Sequence, residues 1–347
     1  MSLPKTNQAA VLETAKARVE LKTRPIPTPG PHEILVVNHA IAANPVDWKI
    51  QDYSIFVESY PNVLGSDVCG VVVEVGADVT HFKKGDRVTG FAAVIYNSLI
   101  DHGAWQNYTI LRDIATSKIP DFMSFEEGSV FPMAFATACI AMFVNLKIPK
   151  PPTPVGDKTS ILLVWGASSS VGSAALQIAK AIGLPVWATA GPKNHDFVKS
   201  MGATKVFDYH DLDVVSKILT AAETAGVSIT KVFDSISENG SLKLASDVLA
   251  KGGKGGEMTI VLHWPADDPK PEGVDISVTV AMRHGQDCSD VGAWFFNKWL
   301  EEAMEKRTVV PAPKIQLVDG GIAATQKVFD MLKGGVSATK LVVKVLD

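Results

Sequence analysis

The sequence predicts an α/β protein, with a β-rich first part followed by a doubly wound parallel sheet. Three observations carry this. From Ile161 to Ala188 an apolar run, a small-residue turn, a helical pattern and a second apolar run follow in order. Apolar runs and helical patterns then alternate as far as Leu262. Before Asp121, short apolar runs lie between turn clusters rich in Pro and Gly. The chain has 347 residues, which suits two domains and a sizeable core.

In the first part, Ile34–Val37 and Val71–Val75 read as strands. Turn clusters such as PIPTPGPHE and KKGDRV separate them, and Phe82–Val88 reads as a turn entering a strand. The pattern becomes helical from Ser124. Ser129–Leu146 approaches the length of a membrane span. It is rich in Ala, contains Pro132, and has Glu126, Glu127 and Lys147 at its margins, so a buried helix is expected.

Next comes the strand Ile161–Trp165 and a helix. Val171, Ala174, Ala175, Ile178, Ala179 and Ile182 recur along that helix at helical spacing. The strand Val186–Ala188 completes a βαβ unit. Val206–Phe207, a helix from Asp213 to Ala222, Val232–Phe233, a helix near Leu242–Leu249 and Met258–Leu262 continue the alternation. Lys251–Gly256 lacks the G-K-[ST] ending of a phosphate loop and reads as a plain turn. Trp264–Gly273 is a loop. The tail has a helix from Val291 to Lys306, a Pro-broken connection, a helix near Thr325–Lys333 and a final strand, Lys340–Leu346. There is no internal repeat.

Apolar residues make up 46% of the chain and charged residues 20%, with a net charge of −4 and no basic block. Nucleic acid and anionic membrane are therefore not expected as partners. Cys69, Cys139 and Cys288 are scattered without metal-ligand spacing, which argues against a disulfide framework and a four-cysteine zinc site. A reducing, cytoplasmic setting is expected. MSLPKTNQAA lacks the apolar core of a signal peptide.

The turn after Trp165 is the most informative stretch. A helix N-terminus entered from a strand favours a pyrophosphate, through free N–H groups and the positive dipole end. With the last glycine of G-x-G-x-x-G on Gly172, the first two glycine positions hold Ala167 and Ser169. The serine still allows close approach and adds a hydroxyl. About twenty residues on, an NAD site carries an acid for the ribose 2′-hydroxyl. Here the sequence is Thr189-Ala190-Gly191-Pro192-Lys193-Asn194, with no acid and a lysine instead. An acid would repel a 2′-phosphate and Lys193 would attract it, which points to NADP(H). The plain alternative is that Lys193 is a solvated residue in the next helix's first turn.

The chain resembles the medium-chain dehydrogenase/reductases along nearly its whole length. The matching pieces are Asn44-Pro45-Val46-Asp47-Trp48-Lys49, then LGSDVCGVVVEVGADVTHFKKGDRV from Leu64 to Val88. The nucleotide turn, Gly202–Tyr209 and the closing S-x-x-K-L-V-V from Ser337 follow in order. NPVDWKIQDY, LGSDV and PKNHDFVKSMGA are similar to the zinc-independent quinone and enoyl reductases, and most of all to fungal trans-acting enoyl reductases and their orphan relatives. The resemblance implies a GroES-like catalytic domain over residues 1–125 and 288–347, and a Rossmann NADP(H)-binding domain over 126–287. It also implies an active site in the cleft between them.

Zinc members of that family place a cysteine early and Gly-His-Glu later. Asn44 stands in the first place, and Gly65-Ser66-Asp67 in the second. No metal is expected, and Cys69 reads as a small buried strand residue. Reducing an isolated ketone without a metal is difficult. A conjugated alkene is easier, because hydride added at the β-carbon sends charge to the carbonyl oxygen, where hydrogen-bond donors stabilise the enolate. Protonation at the α-carbon completes the reaction.

By resemblance, the catalytic candidates are Lys49, Asn44, Tyr53 and Thr137. Lys49 would orient the ribose or donate to the carbonyl oxygen, or else be a surface lysine. Asp47 would hold Lys49 or cap a short helix. Tyr53 would donate a proton or form an aromatic wall. Thr137 would contact the nicotinamide side or bond its own helix backbone. The cofactor candidates are Val46, Lys49, Ser168, Ser169, Ser170, Val171, Gly191, Lys193, Asn194, Tyr209, Leu262 and Lys340, with NADPH as cofactor. Tyr209 would lie near the adenosine phosphate, or be a half-buried strand-end tyrosine. Gly191 departs from the serine common at that place in relatives, which puts one phosphate contact in doubt.

The expected reaction is zinc-independent, NADPH-dependent reduction of the C=C bond of an α,β-unsaturated carbonyl compound. Quinone reduction and non-catalytic NADPH binding are the alternatives. The substrate would be a small apolar molecule, free or carrier-bound, with pocket walls from Tyr53–Tyr60, Phe91–Asp101 and Met282–Asp290. The protein would be a monomer or a homodimer.

Overall fold

The computed structural model describes residues 6–346. The first five residues of the opening stretch lie outside the described residues, as does Asp347. Two compact units divide the chain. One takes the described residues up to Ala136 and those from Met282 onward, and the other takes Thr137–Ala281.

The first unit opens with β1 (Thr6–Leu12), β2 (Glu20–Pro25), β3 (Glu33–Ala42) and β4 (Asn62–Val63). It continues with β5 (Asp67–Val75), β6 (Arg87–Ala92) and β7 (Tyr108–Lys118). The second unit holds β8 (Ser160–Trp165), β9 (Val186–Thr189), β10 (Lys205–Phe207), β11 (Ser228–Asp234), β12 (Gly256–Ile260) and β13 (Val274–Val278). The chain then adds β14 (Lys314–Leu317) and β15 (Thr339–Lys344) to the first unit.

In the first unit, β3 pairs antiparallel with both β5 and β7, and β6 pairs with both of those, so the four strands close a ring. β15 joins the C-terminal end of β3 antiparallel, beyond the stretch paired with β7, and β14 joins β15 in parallel. β1 sits in a separate three-stranded sheet between β2 and β4. The tail returns to the first unit because β15 completes the β3 ladder, with Val342 opposite Ala42.

The second unit is a parallel sheet in the order β10-β9-β8-β11-β12-β13. Its inner strands β8 and β9 are buried apolar runs, as expected where both faces are covered. Ile161, Leu163 and Trp165 alternate onto one face of β8. There they pack with Val214 and Ile218 of the helix Val214–Ala225, and with Val248 and Leu249 of the helix Ser241–Lys251. The helix Ser170–Ala181 is capped by Ser169, and the chain turns out of it at Gly183, where φ is +72°.

The βαβ unit, the later alternation and the tail helix over 325–333 match the expectation from sequence. Leu262 falls in a bend after β12 and not in the strand. The strands β1, β2, β4, β7, β13 and β14 were not read from the sequence. The edge strands β13 and β14 are short with no buried residue, so their apolar signal is weak. The helical run Phe125–Asn145 is long and apolar enough to cross a membrane, and 89% of its most apolar window is buried inside the protein.

Candidate active site

Parallel strands place all their C-terminal ends on one edge of the sheet, where ligands of open α/β sheets bind. In the second unit that edge gathers Ser168, Ser169, Ser170 and Val171 after β8, and Gly191, Lys193 and Asn194 after β9. Tyr209 follows β10, and Leu262 follows β12.

The first of these turns is tightly built. Gly166 has φ +74°, a conformation that favours glycine. Ser169 Oγ accepts from Gly172 N at 3.0 Å, which caps the helix. A Cβ on Gly172 would lie 2.6 Å from Gly166 O and 2.7 Å from Ala167 Cα, so only glycine lets the helix approach the strand this closely. The register that put Gly172 last in the glycine motif therefore has a steric basis. Thr189 Oγ1 accepts from Gly166 N at 3.1 Å and ties the next turn to this one. Sequence reasoning passed over Ser235. Its hydroxyl donates to Trp165 O at 2.7 Å and lies 3.2 Å from Ser169 Oγ. Asp234 was also missed. Burial pushes its carboxyl up, while Ser241 Oγ and the amides of Ser237 and Ile236 donate to it.

At the end of β9, Gly191 is buried and Lys193 is exposed. Tyr209 is 41% exposed beyond β10. This edge fits a dinucleotide: a helix N-terminus with small residues at one turn, and an exposed lysine at the next. The structure gives Lys193 an open position compatible with either reading of it.

In the first unit, Asn44 and Asp47 start the helix Pro45–Tyr53, with Pro45 in its first turn. Asp47 Oδ2 accepts from Asn44 N at 3.0 Å and from Trp105 Nε1 at 3.3 Å. Asp47 therefore caps this helix. Burial, reinforced by the nearby Asp67 carboxylate, pushes the Asp47 carboxyl up to about 7. Val46 and Lys49 are half buried on the same helix, and Lys49 Nζ lies 5.6 Å from the centre of the Trp48 ring. Tyr53 ends the helix 60% exposed, with Phe56 also exposed beyond it. Thr137 is buried in the helix Pro132–Cys139, and the division between the two units falls at Ala136, just before it.

Asn44 and Lys340 belong to one buried cluster. Asn44 Nδ2 donates to Asp67 Oδ2 at 2.8 Å, and Lys340 Nζ donates to Asn44 Oδ1 at 2.6 Å. Lys340 Nζ also reaches Asp67 Oδ2 at 2.9 Å, and Met133 N donates to Asp67 Oδ1 at 2.6 Å. Lys340 is 3% exposed. The resemblance assigned it to the cofactor; in the structure it is a buried counter-ion.

By the resemblance, Asn44 stands at the place of the family's cysteine, and Gly65-Ser66-Asp67 at that of its Gly-His-Glu; Lys340 contacts Asn44 and Asp67. An ammonium group lies against both, and a cation there repels a second cation. The donor set does not fit zinc. Among the described residues, no group of three or more His, Cys, Asp or Glu side chains could hold a metal ion. Cys69 is buried on β5, and burial pushes its thiol up, as for an inert strand residue.

Residues 30–121 match the alcohol dehydrogenase GroES-like domain, and residues 170–284 match the zinc-binding dehydrogenase domain. The trans-enoyl reductase tndF of Aspergillus flavipes is 38% identical over 98% of this chain and 99% of its own. The chain belongs to the medium-chain dehydrogenase/reductase family. The dehydrogenase orsE of Emericella nidulans is another relative in this family, 35% identical over 98% of this chain and 99% of its own. Among solved structures, an alcohol dehydrogenase superfamily protein from Novosphingobium aromaticivorans superposes with a TM-score of 0.82 at 23% identity. It covers 98% of this chain and 100% of that one, and shows the shared fold. As a medium-chain dehydrogenase/reductase, the protein is an oxidoreductase of a family that binds nicotinamide cofactors. Its two units correspond to the GroES-like and Rossmann-like parts of that family.

Proposed function

We propose that the protein is an NADPH-dependent reductase that acts without zinc on the C=C bond of an α,β-unsaturated carbonyl compound. The observation that carries this reading is the Lys340 ammonium between Asn44 and Asp67. With a lysine there, no Lewis acid is available to polarise an isolated ketone. A conjugated alkene needs only hydrogen-bond donors at its carbonyl oxygen. The printed name of tndF, a trans-enoyl reductase, supports the same reaction class.

When bound, a nicotinamide cofactor supplies the hydride. The chain's own residues bind and orient. The turn Ser168–Val171 holds the pyrophosphate, and Lys193, Asn194 and Tyr209 hold the adenosine 2′-phosphate. Lys49 donates to the substrate carbonyl oxygen and favours negative charge there. Tyr53 and Phe56, both exposed and three residues apart, offer an apolar wall to the substrate.

The test is NADPH oxidation over a panel of enals, enones, quinones and enoyl thioesters with a chelator present. Turnover of an enone or enoyl thioester, with a product saturated at C=C, is the expected result. Turnover of quinones alone, or activity lost to the chelator and restored by zinc, overturns the proposal.

A further inference from the structure

The turns after β9 and β10 are neighbours, joined by Ala190 N donating to Phe207 O at 3.0 Å. Gly191 sits on the first of them. Its backbone, φ −65° and ψ 151°, is one that any residue adopts. A Cβ there would meet only His210 Cε1 at 3.4 Å, Tyr209 Oη at 3.9 Å and His210 Nδ1 at 4.0 Å, which are ordinary contacts. Neither backbone nor packing requires glycine. Its missing side chain leaves the His210 imidazole as the polar group facing that place.

The His210 ring is held in position. Its Nδ1 lies 2.7 Å from Asp208 Oδ1, which also accepts from His210 N at 3.0 Å. The ring stacks at a tilt on Tyr209, with centroids 4.1 Å apart. Its side chain is 61% exposed, so an anion can reach it. With both nitrogens protonated, the ring donates from Nδ1 to Asp208 and from Nε2 to an anion.

We infer that His210 is a specificity-determining residue that recognises the 2′-phosphate of the cofactor from the side of the site opened by Gly191. The inference rests on the NADPH reading above. Lys193 supplies a permanent charge on the turn after β9. His210 supplies a second donor from the turn after β10. The other charged or titratable groups on these turns are His195 and Asp196 after β9, and Asp208, Tyr209 and Asp211 after β10. His195 donates to Ala190 O, and Asp211 is paired with Lys217 from the following helix.

The experiment measures binding of 2′,5′-ADP and 5′-AMP to the full chain by calorimetry at pH 6. The wild type should prefer 2′,5′-ADP. His210→Ala should cut that preference about fivefold to tenfold and leave 5′-AMP binding unchanged. A preference as large in His210→Ala as in the wild type overturns this inference alone. A wild type that binds the two probes equally overturns the NADPH reading, and this inference with it.

Discussion

Lys340 Nζ lies 2.9 Å from Asp67 Oδ2 at a place where neither side chain reaches solvent. The pair joins residues 273 positions apart, and Asn44 bonds both partners. A buried ion pair is costly to assemble but costlier to break, because the surviving charge is left without water.

Lys340→Met should therefore lower stability by about 3–5 kcal/mol, read as a lower midpoint in urea unfolding. Adding Asp67→Asn should recover at least half of the loss, since the asparagine still accepts from Met133 N without a charge to strand. Equal stability of Lys340→Met and the wild type would mean that Asp67 has another counter-ion.

Asp47 makes stability depend on pH. Its folded-state carboxyl is raised to about 7 by burial, well above its ordinary 3.8. Below about pH 4 both folded and unfolded chains hold the proton, and the group has no effect. Between about 4 and 7 only the folded chain keeps it, so this contribution to stability falls as pH rises. Above 7 the loss is complete, on the order of a few kcal/mol. Asp47→Asn retains an acceptor for Asn44 N and Trp105 Nε1 but carries no charge. Its thermal midpoint relative to the wild type should thus be several degrees higher at pH 8 than at pH 5. A gap that does not change with pH would show that Asp47 does not titrate in this range.

Lys49→Ala should reduce turnover of an active enone or enoyl thioester at least tenfold, about 1.4 kcal/mol or more in the barrier. Circular dichroism should be unchanged, because Lys49 is only half buried. An undiminished rate would return Lys49 to the role of a surface residue.

Lys193→Glu should reverse the cofactor preference, with the NADPH to NADH ratio of kcat/KM falling about a hundredfold. Lys193 is exposed, so the fold should tolerate the charge reversal. An unaltered ratio would remove Lys193 from the 2′-phosphate site.

Much of the second unit was legible in sequence. The strand Ile161–Trp165, the small-residue turn and the helix with its i, i+3, i+4 apolar spacing are local patterns, and local sterics decide them. Gly172 was placed by motif register alone, and the clash of any Cβ with Gly166 O explains why that register holds. The absence of an acid after β9 was equally visible. The edge strands β13 and β14 were not, because half-exposed strands of five and four residues carry little hydrophobic periodicity.

The first unit's polar centre required the tertiary structure. By resemblance, Asn44 and Gly65-Ser66-Asp67 stand where zinc members carry a cysteine and Gly-His-Glu, so that difference in residues was readable. The contact of Lys340 with Asn44 and Asp67 was not, because Lys340 meets Asn44 across 296 residues and no local pattern marks a lysine for burial. The same holds for His210, whose approach to Gly191 depends on two turns brought together by parallel pairing of β9 and β10. Near-neighbour sterics and periodicity thus determined the elements and their order. Which charges became buried, and which side chains share a turn, depended on contacts between distant segments that form only when the sheets assemble.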